Sequence, residues 1–125
     1  MTERIKRHTD LEVYQLAFNA AIQIYKLSKS LPIEEKYSFT DQIRRSSRSV
    51  CANIAEAWRK RRYKAAFINR LNTAEAEATE TQVWLDFCYH CQYLEENTVI
   101  ALRKTYDFII GKLVMMMRSP EKWSL

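Results

Sequence analysis

Residues 39–64 read FTDQIRRSSRSVCANIAEAWRKRRYK, and the stretch carries two signals at once. Phe39, Ile43, Ser47, Val50, Ile54 and Ala57 recur every three or four residues, which draws one stripe along a helix. Arg44, Arg45, Arg48, Arg59, Lys60, Arg61, Arg62 and Lys64 place eight cations in 21 residues, with Glu56 the only acid among them. A helix that buries one side and gathers cations on and beyond the other is suited both to pack and to attract anions.

Toward the C-terminus, four consecutive cations repel one another at residues 59–62. A connection is expected there, between a second helix over about residues 39–58 and a third over about 63–93. Ser38 and Asp41 have the spacing of a capping box at the start of the second. Phe67, Leu71, Ala74, Ala78, Thr81, Leu85 and Cys88 alternate steps of four and three, the mark of long helices crossing at small angles. The alanines in the middle of this stripe let a neighbour approach closely. Val99, Leu102, Tyr106, Ile109, Leu113 and Met116 repeat the pattern in a fourth helix over about residues 95–118, with Glu95 and Glu96 at its positive end and Arg118 at its negative end. Toward the N-terminus, a first helix is expected over about residues 10–30, capped by Thr9 or Asp10 and stopped by Pro32. Its inward face is read as Leu11, Tyr14, Phe18, Ala21, Ile22 and Tyr25, widened by Val13, Ala17, Ile24 and Leu27. Four such helices with short links predict an all-α, antiparallel up-down-up-down bundle occupying the whole chain as one domain.

Composition agrees. A hydrophobic fraction of 47% in 125 residues supports a packed core, and one glycine with two prolines disfavours turn-rich β architecture. The net charge of +5 hides an asymmetry: residues 1–70 hold 15 Lys and Arg against 7 acids, residues 71–125 hold 5 against 8. A basic front half favours an anionic partner, set against the plainer reading of a solvated cationic surface. Three cysteines, an odd number, argue against a disulfide framework, and Cys51 and Cys88 fall on the apolar stripes. With no apolar run of 18 residues, neither a signal peptide nor a membrane span is expected, and the cytoplasm is the default location.

Sites of chemistry are sparse. Cys88, His90 and Cys91 have half the spacing of a zinc site, but helical geometry puts the two cysteines on one face and His90 on another, and His8 is the only other histidine. No metal or cofactor is expected. Cys51 lies on a packed side without a base, Glu75, Glu77 and Glu80 are ordinary solvated carboxylates, and Gly111 alone makes no phosphate loop. The chain is therefore read as no enzyme. Tyr14, Phe18, Tyr25, Trp84 and Tyr106 could be taken as a platform for stacking bases, but at helical spacing most of them are read as core. Trp58, Tyr63 and Trp123 lie at or beyond helix ends, where an exposed ring beside cations is a candidate to stack on a base or a partner; ordinary packing is the favoured reading. Asn53 and Glu56, one turn apart, suggest an interhelical hydrogen-bond network with Asn72 and Glu80 as partners, against the alternative of a solvated face.

These residues also carry a resemblance. Asp10-Leu11-Glu12-Val13-Tyr14-Gln15, Gln42-Ile43-Arg44-Arg45-Ser46, Ala52-Asn53-Ile54-Ala55-Glu56, Phe67-Ile68, Leu71-Asn72 and Ala74 resemble the motifs of the four-helix bundle family of 23S rRNA intervening-sequence proteins. Its relatives include the accessory variability protein of diversity-generating retroelements. The resemblance spans residues 10–118 and implies a homopentamer, basic surfaces that engage RNA or DNA, and a reverse transcriptase as a protein partner. Two departures stand out. Cys51 replaces a usual proline, and Ala57-Trp58 replaces a glycine-led turn, which suggests a longer second helix or an altered turn.

The leading expectation is a non-catalytic, oligomeric adaptor whose eight cations in residues 44–64 contact nucleic-acid phosphates without reading sequence. The rival is a protein scaffold whose basic segment docks an acidic partner; a small-ligand binder is disfavoured because Ile, Leu and Tyr fill the core. Extra apolar positions (Val13, Leu16, Ile24, Leu27, Ile68, Val83, Trp84, Ile100 and Ile110) lie off the main stripes and are expected to meet other subunits.

Overall fold

The stripe from Phe39 to Ala57 is buried along its whole length, between 0% and 8% exposed. The computed structural model describes residues 4–124. Four helices follow one another, α1 (Glu12–Ser28), α2 (Asp41–Arg59), α3 (Lys64–His90) and α4 (Glu96–Arg118). Each packs against the next and α4 closes on α1, so the fold is the expected all-α up-down-up-down bundle.

The α2–α3 seam is the most closely packed. All seven positions of the α3 stripe, Phe67 through Cys88, are at most 1% exposed, and the six α4 positions from Val99 to Met116 are at most 5% exposed. Ala74 and Ala78 present only methyl groups, so α2 comes near enough for Ser46 Oγ and Thr81 Oγ1 to lie 2.8 Å apart inside the core. Burial pushes the Cys51 and Cys88 thiols up to about 11 and about 12, so both stay protonated at neutral pH and behave as small apolar groups.

Helix α1 departs from expectation in its rotation. Val13, Ala17, Ala20, Ala21 and Ile24 form the buried face, while Phe18 is 46% and Ile22 is 40% exposed. The small alanines fit the crowded centre, and the large rings move to the flank beside α2. Tyr14 stacks on Phe18 with centroids 6.0 Å apart, and Tyr14 and Tyr25 are half-buried rather than core. Of the off-stripe residues expected at subunit contacts, Val13 and Ile24 are therefore core. Leu16, Leu27, Ile68, Trp84 and Ile110 are half-buried against the core, and only Val83 and Ile100 are exposed.

The helix ends also differ. Asp10 caps a short 3-10 turn before α1, accepting from the Lys6 and Arg7 amides at 3.0 and 3.1 Å, rather than capping α1 itself. Ser38 makes no capping box with Asp41; its hydroxyl donates to Glu35 within a π-helical turn, Lys36–Thr40, that leads into α2. Tyr93 also donates to Glu35, at 2.7 Å, which ties this turn to the α3–α4 connection. Helix α2 runs past the position of the missing glycine to Arg59, and Lys60 turns the chain with φ −97° and ψ 7°. No left-handed residue is needed there.

One is needed after α3. Gln92 takes φ 59°, the amide of Gln92 donates to the Tyr89 carbonyl and that of Tyr93 to the Cys88 carbonyl, closing a Schellman motif. A glutamine side chain is unfavourable in this conformation and glycine is not. Gln92→Gly is expected to raise stability by about 0.5–1 kcal/mol in urea unfolding, with an unchanged m-value; a loss of stability would show that the Gln92 side chain contributes more than its backbone strain removes.

Candidate nucleic-acid interface

The up-down topology gathers three separated segments at one end of the bundle: residues 4–12 before and at the start of α1, residues 59–64 between α2 and α3, and residues 118–124 after α4. The 3-10 turn at His8–Asp10 packs on α2 and the turn at Pro120–Lys122 packs on α3, so the segments are joined as one surface. Arg61, Arg62 and Lys64 face Pro120, Glu121 and Ser124 across a cleft of about 170 Å³. Together the segments carry ten cations against Asp10, Glu12 and Glu121. At the opposite end, residues 29–41 and 90–97 hold two lysines against five acids. The bundle therefore has a basic pole and an acidic pole. Sequence reading placed Arg59, Lys60, Arg61, Arg62 and Lys64 in this surface; it missed Arg4, Lys6, Arg7, Arg118 and Lys122, which only the antiparallel topology brings there.

The eight cations singled out in the sequence do not act as one group. Arg59, Lys60, Arg62 and Lys64 are exposed at the pole and make no ion pair among the described residues. Arg61 is anchored. Its guanidinium lies 3.8 Å above the Trp58 ring and donates to the Trp58 carbonyl at 2.7 Å. Partial burial, then the neighbouring Arg59 charge, lower its pKa from the ordinary guanidinium value. Trp58 is 6% exposed under this cover, in line with ordinary packing, whereas Tyr63 is 66% exposed and Trp123 is half-buried.

Arg45 is held within the bundle by carboxylates, with Glu77 at 3.1 Å and a bond to Glu80, and the Glu80 hydrogen bond raises its pKa. Glu80 also accepts from Trp84 Nε1 at 3.1 Å. Arg44 and Arg48 lie instead at the α1–α2 seam beside Tyr25. The expected four-residue polar network is divided. Arg70 bridges Glu56 at 3.4 Å and Asn53 Oδ1 at 3.5 Å, Glu80 belongs to the separate Arg45 cluster, and Asn72 is exposed. Glu56 is the wrong distance along α2 to meet Glu80's partners, and α3 presents Asn72 on its outer side.

Cys88 is buried while Cys91, just past the helix end, is exposed, so the two cysteines do not share a face. Among the described residues no group of three or more His, Cys, Asp or Glu is placed to hold a metal ion, and no helix is long and apolar enough to cross a membrane.

Residues 9–115 match the 23S rRNA-intervening sequence protein family. The chain belongs to this family. A solved relative, a crystal structure of a protein of unknown function from the S23 ribosomal protein family of Bacteroides thetaiotaomicron VPI-5482, is 32% identical. It covers 85% of this chain and 95% of its own, with a TM-score of 0.76. No curated protein is significantly similar. The family match includes α1 to α3 and most of α4 and leaves out residues 4–8 and 116–124, which carry Arg4, Lys6, Arg7, Arg118 and Lys122 of the basic pole.

The division between anchored and open cations is measurable. Arg61→Ala is expected to lower stability by about 1 kcal/mol and red-shift tryptophan fluorescence as Trp58 becomes wet. Arg59→Ala is expected to change stability by less than about 0.5 kcal/mol. Equal effects of the two substitutions would contradict the assignment.

Proposed function

We propose that this protein is a non-catalytic, homo-oligomeric nucleic-acid-binding adaptor that contacts RNA or DNA phosphates through its basic pole. The observation that supports the reading most is the convergence of three chain segments into one cationic surface whose arginines and lysines make no ion pair among the described residues. Unpaired, solvated cations in an array are the usual means of neutralising a phosphate backbone, and they carry affinity without sequence readout. A reverse transcriptase partner and a five-membered ring come into the proposal from the family resemblance. Ring assembly has its own support: Phe18 and Ile22 are exposed on α1, and Phe108 and Met115 are 53% and 69% exposed on α4. Two different apolar faces on one subunit suit a heterologous contact that repeats around an axis. In such a ring the poles lie on one rim and weak contacts add by avidity.

Titration of a structured RNA against wild type at several salt concentrations is expected to show affinity falling steeply with salt. Reversing Arg59, Lys60 and Arg62 to glutamate together should reduce the log–log slope by about three, one for each phosphate that is no longer neutralised. Absence of binding at low salt, or a slope untouched by the reversal, would overturn the role of the pole; loss of a protein partner with RNA affinity unchanged would make it a protein-docking surface. Light scattering is expected to report an oligomer that Phe18→Asp dissociates, and a monomeric wild type at micromolar concentration would remove the ring.

A further inference from the structure

Three cations converge on a single neutral ring away from the pole. Lys29 Nζ lies 4.9 Å, Arg44 Cζ 4.9 Å and Arg48 Cζ 5.5 Å from the centroid of Tyr25. Arg44 is anchored there, while Lys29 and Arg48 are exposed. Arg44 Nε donates to Ser28 Oγ at 2.7 Å, Ser28 is 5% exposed, and the Ser28 hydroxyl in turn donates to the Tyr25 carbonyl at 2.7 Å. No ion pair engages Lys29, Arg44 or Arg48 among the described residues. Arg44 and Arg48 also border a shallow hollow on α2 whose other lining residues are Asp41, Gln42, Arg45, Ser49 and Ala52, and Asp41 makes no ion pair with either arginine among the described residues. One aromatic face offsets little of the repulsion among three positive charges. An arrangement of this kind is stabilised when an anion with several acceptor oxygens sits among the donors, as a phosphate does.

We propose that Lys29, Arg44 and Arg48, gathered on Tyr25 at the α1–α2 seam, form a second phosphate site that holds the backbone of the nucleic acid bound at the pole. The inference rests on the nucleic-acid reading above and adds a location, a ligand group and a length requirement. Arg48 and Arg59 are separated by 11 residues of α2, which is about 16 Å along the helix. A ligand must span that distance to engage both sites, and one that does gains by avidity.

Two measurements test it. The Arg44 side-chain Nε–H resonance should move when either inorganic phosphate or RNA is added, and Arg48→Glu should abolish both shifts. Lys29→Gln, on the other helix, should weaken both, and serves if Arg48→Glu fails to fold. Either variant should also lower the RNA salt slope by about one, for long RNA only, while oligonucleotides too short to bridge bind both proteins alike. If phosphate moves the resonance but the RNA slope is unchanged, the site takes a free phosphorylated ligand and the backbone assignment is overturned. If Arg48→Glu lowers the oligomer mass and leaves RNA binding intact, the cluster meets a carboxylate of a neighbouring copy and the proposal fails. No response to phosphate or RNA overturns it outright. Failure of the pole itself reads differently, because RNA then does not bind wild type while the phosphate titration still reports on Tyr25.

Discussion

The close approach of α2 and α3 is the contact on which the rest depends. Ala74 and Ala78 are fully buried, and the Ser46 and Thr81 hydroxyls meet 2.8 Å apart between them. Larger residues at these positions would push the helices apart and open the core that Val50, Ile54 and Leu71 fill at 0% exposure. The buried hydroxyl pair adds an interhelical contact that only this register makes, while each hydroxyl also reaches a carbonyl of its own helix, Ile43 for Ser46 and Glu77 for Thr81. With α2 and α3 held antiparallel, the chain between them must turn over at residues 60–63, and that turn carries the densest run of cations in the protein.

The electrostatic polarity follows from that geometry. Antiparallel order brings the start of α1 and the end of α4 to the same end as the α2–α3 turn, and all three segments are basic. The longest helix has 27 residues, so the two poles stand about 40 Å apart. That is several Debye lengths at physiological salt, so the acidic end does little to screen the basic one. Not every cation contributes to an external field. Arg45 is neutralised by Glu77 and Glu80, and Arg61 covers Trp58, so both serve the fold before any ligand.

The fold was legible because long helices declare themselves by period. The stripes of α2, α3 and α4 are buried at every position named from the sequence. Helix α1 was misread because its apolar residues surround more than half its circumference, so period alone cannot say which arc faces inward. Side-chain size decides instead: Ala17, Ala20 and Ala21 fit the crowded centre and Phe18 does not. The cations of the α2–α3 turn were visible as a run, but Arg4, Lys6, Arg7, Arg118 and Lys122 were not, because their proximity is a property of topology. The Tyr25 cluster and the Arg70 bridge were hidden for the same reason, each joining residues from two helices. The division of the expected polar network shows the converse limit, since residues that look like partners by type need a shared face to meet.

Ultraviolet cross-linking of bound structured RNA, with the modified peptides mapped by mass spectrometry, tests the central claim most directly. Tyr63, exposed within the cationic turn, and Trp123, half-buried beside Lys122, are the tyrosine and tryptophan at the pole that reach solvent, since Trp58 lies under Arg61. Cross-links are expected in the peptides that carry them and absent from the acidic end around Tyr37 and Tyr89. Cross-links concentrated at Tyr37 and Tyr89, with none at Tyr63 or Trp123, would contradict the account.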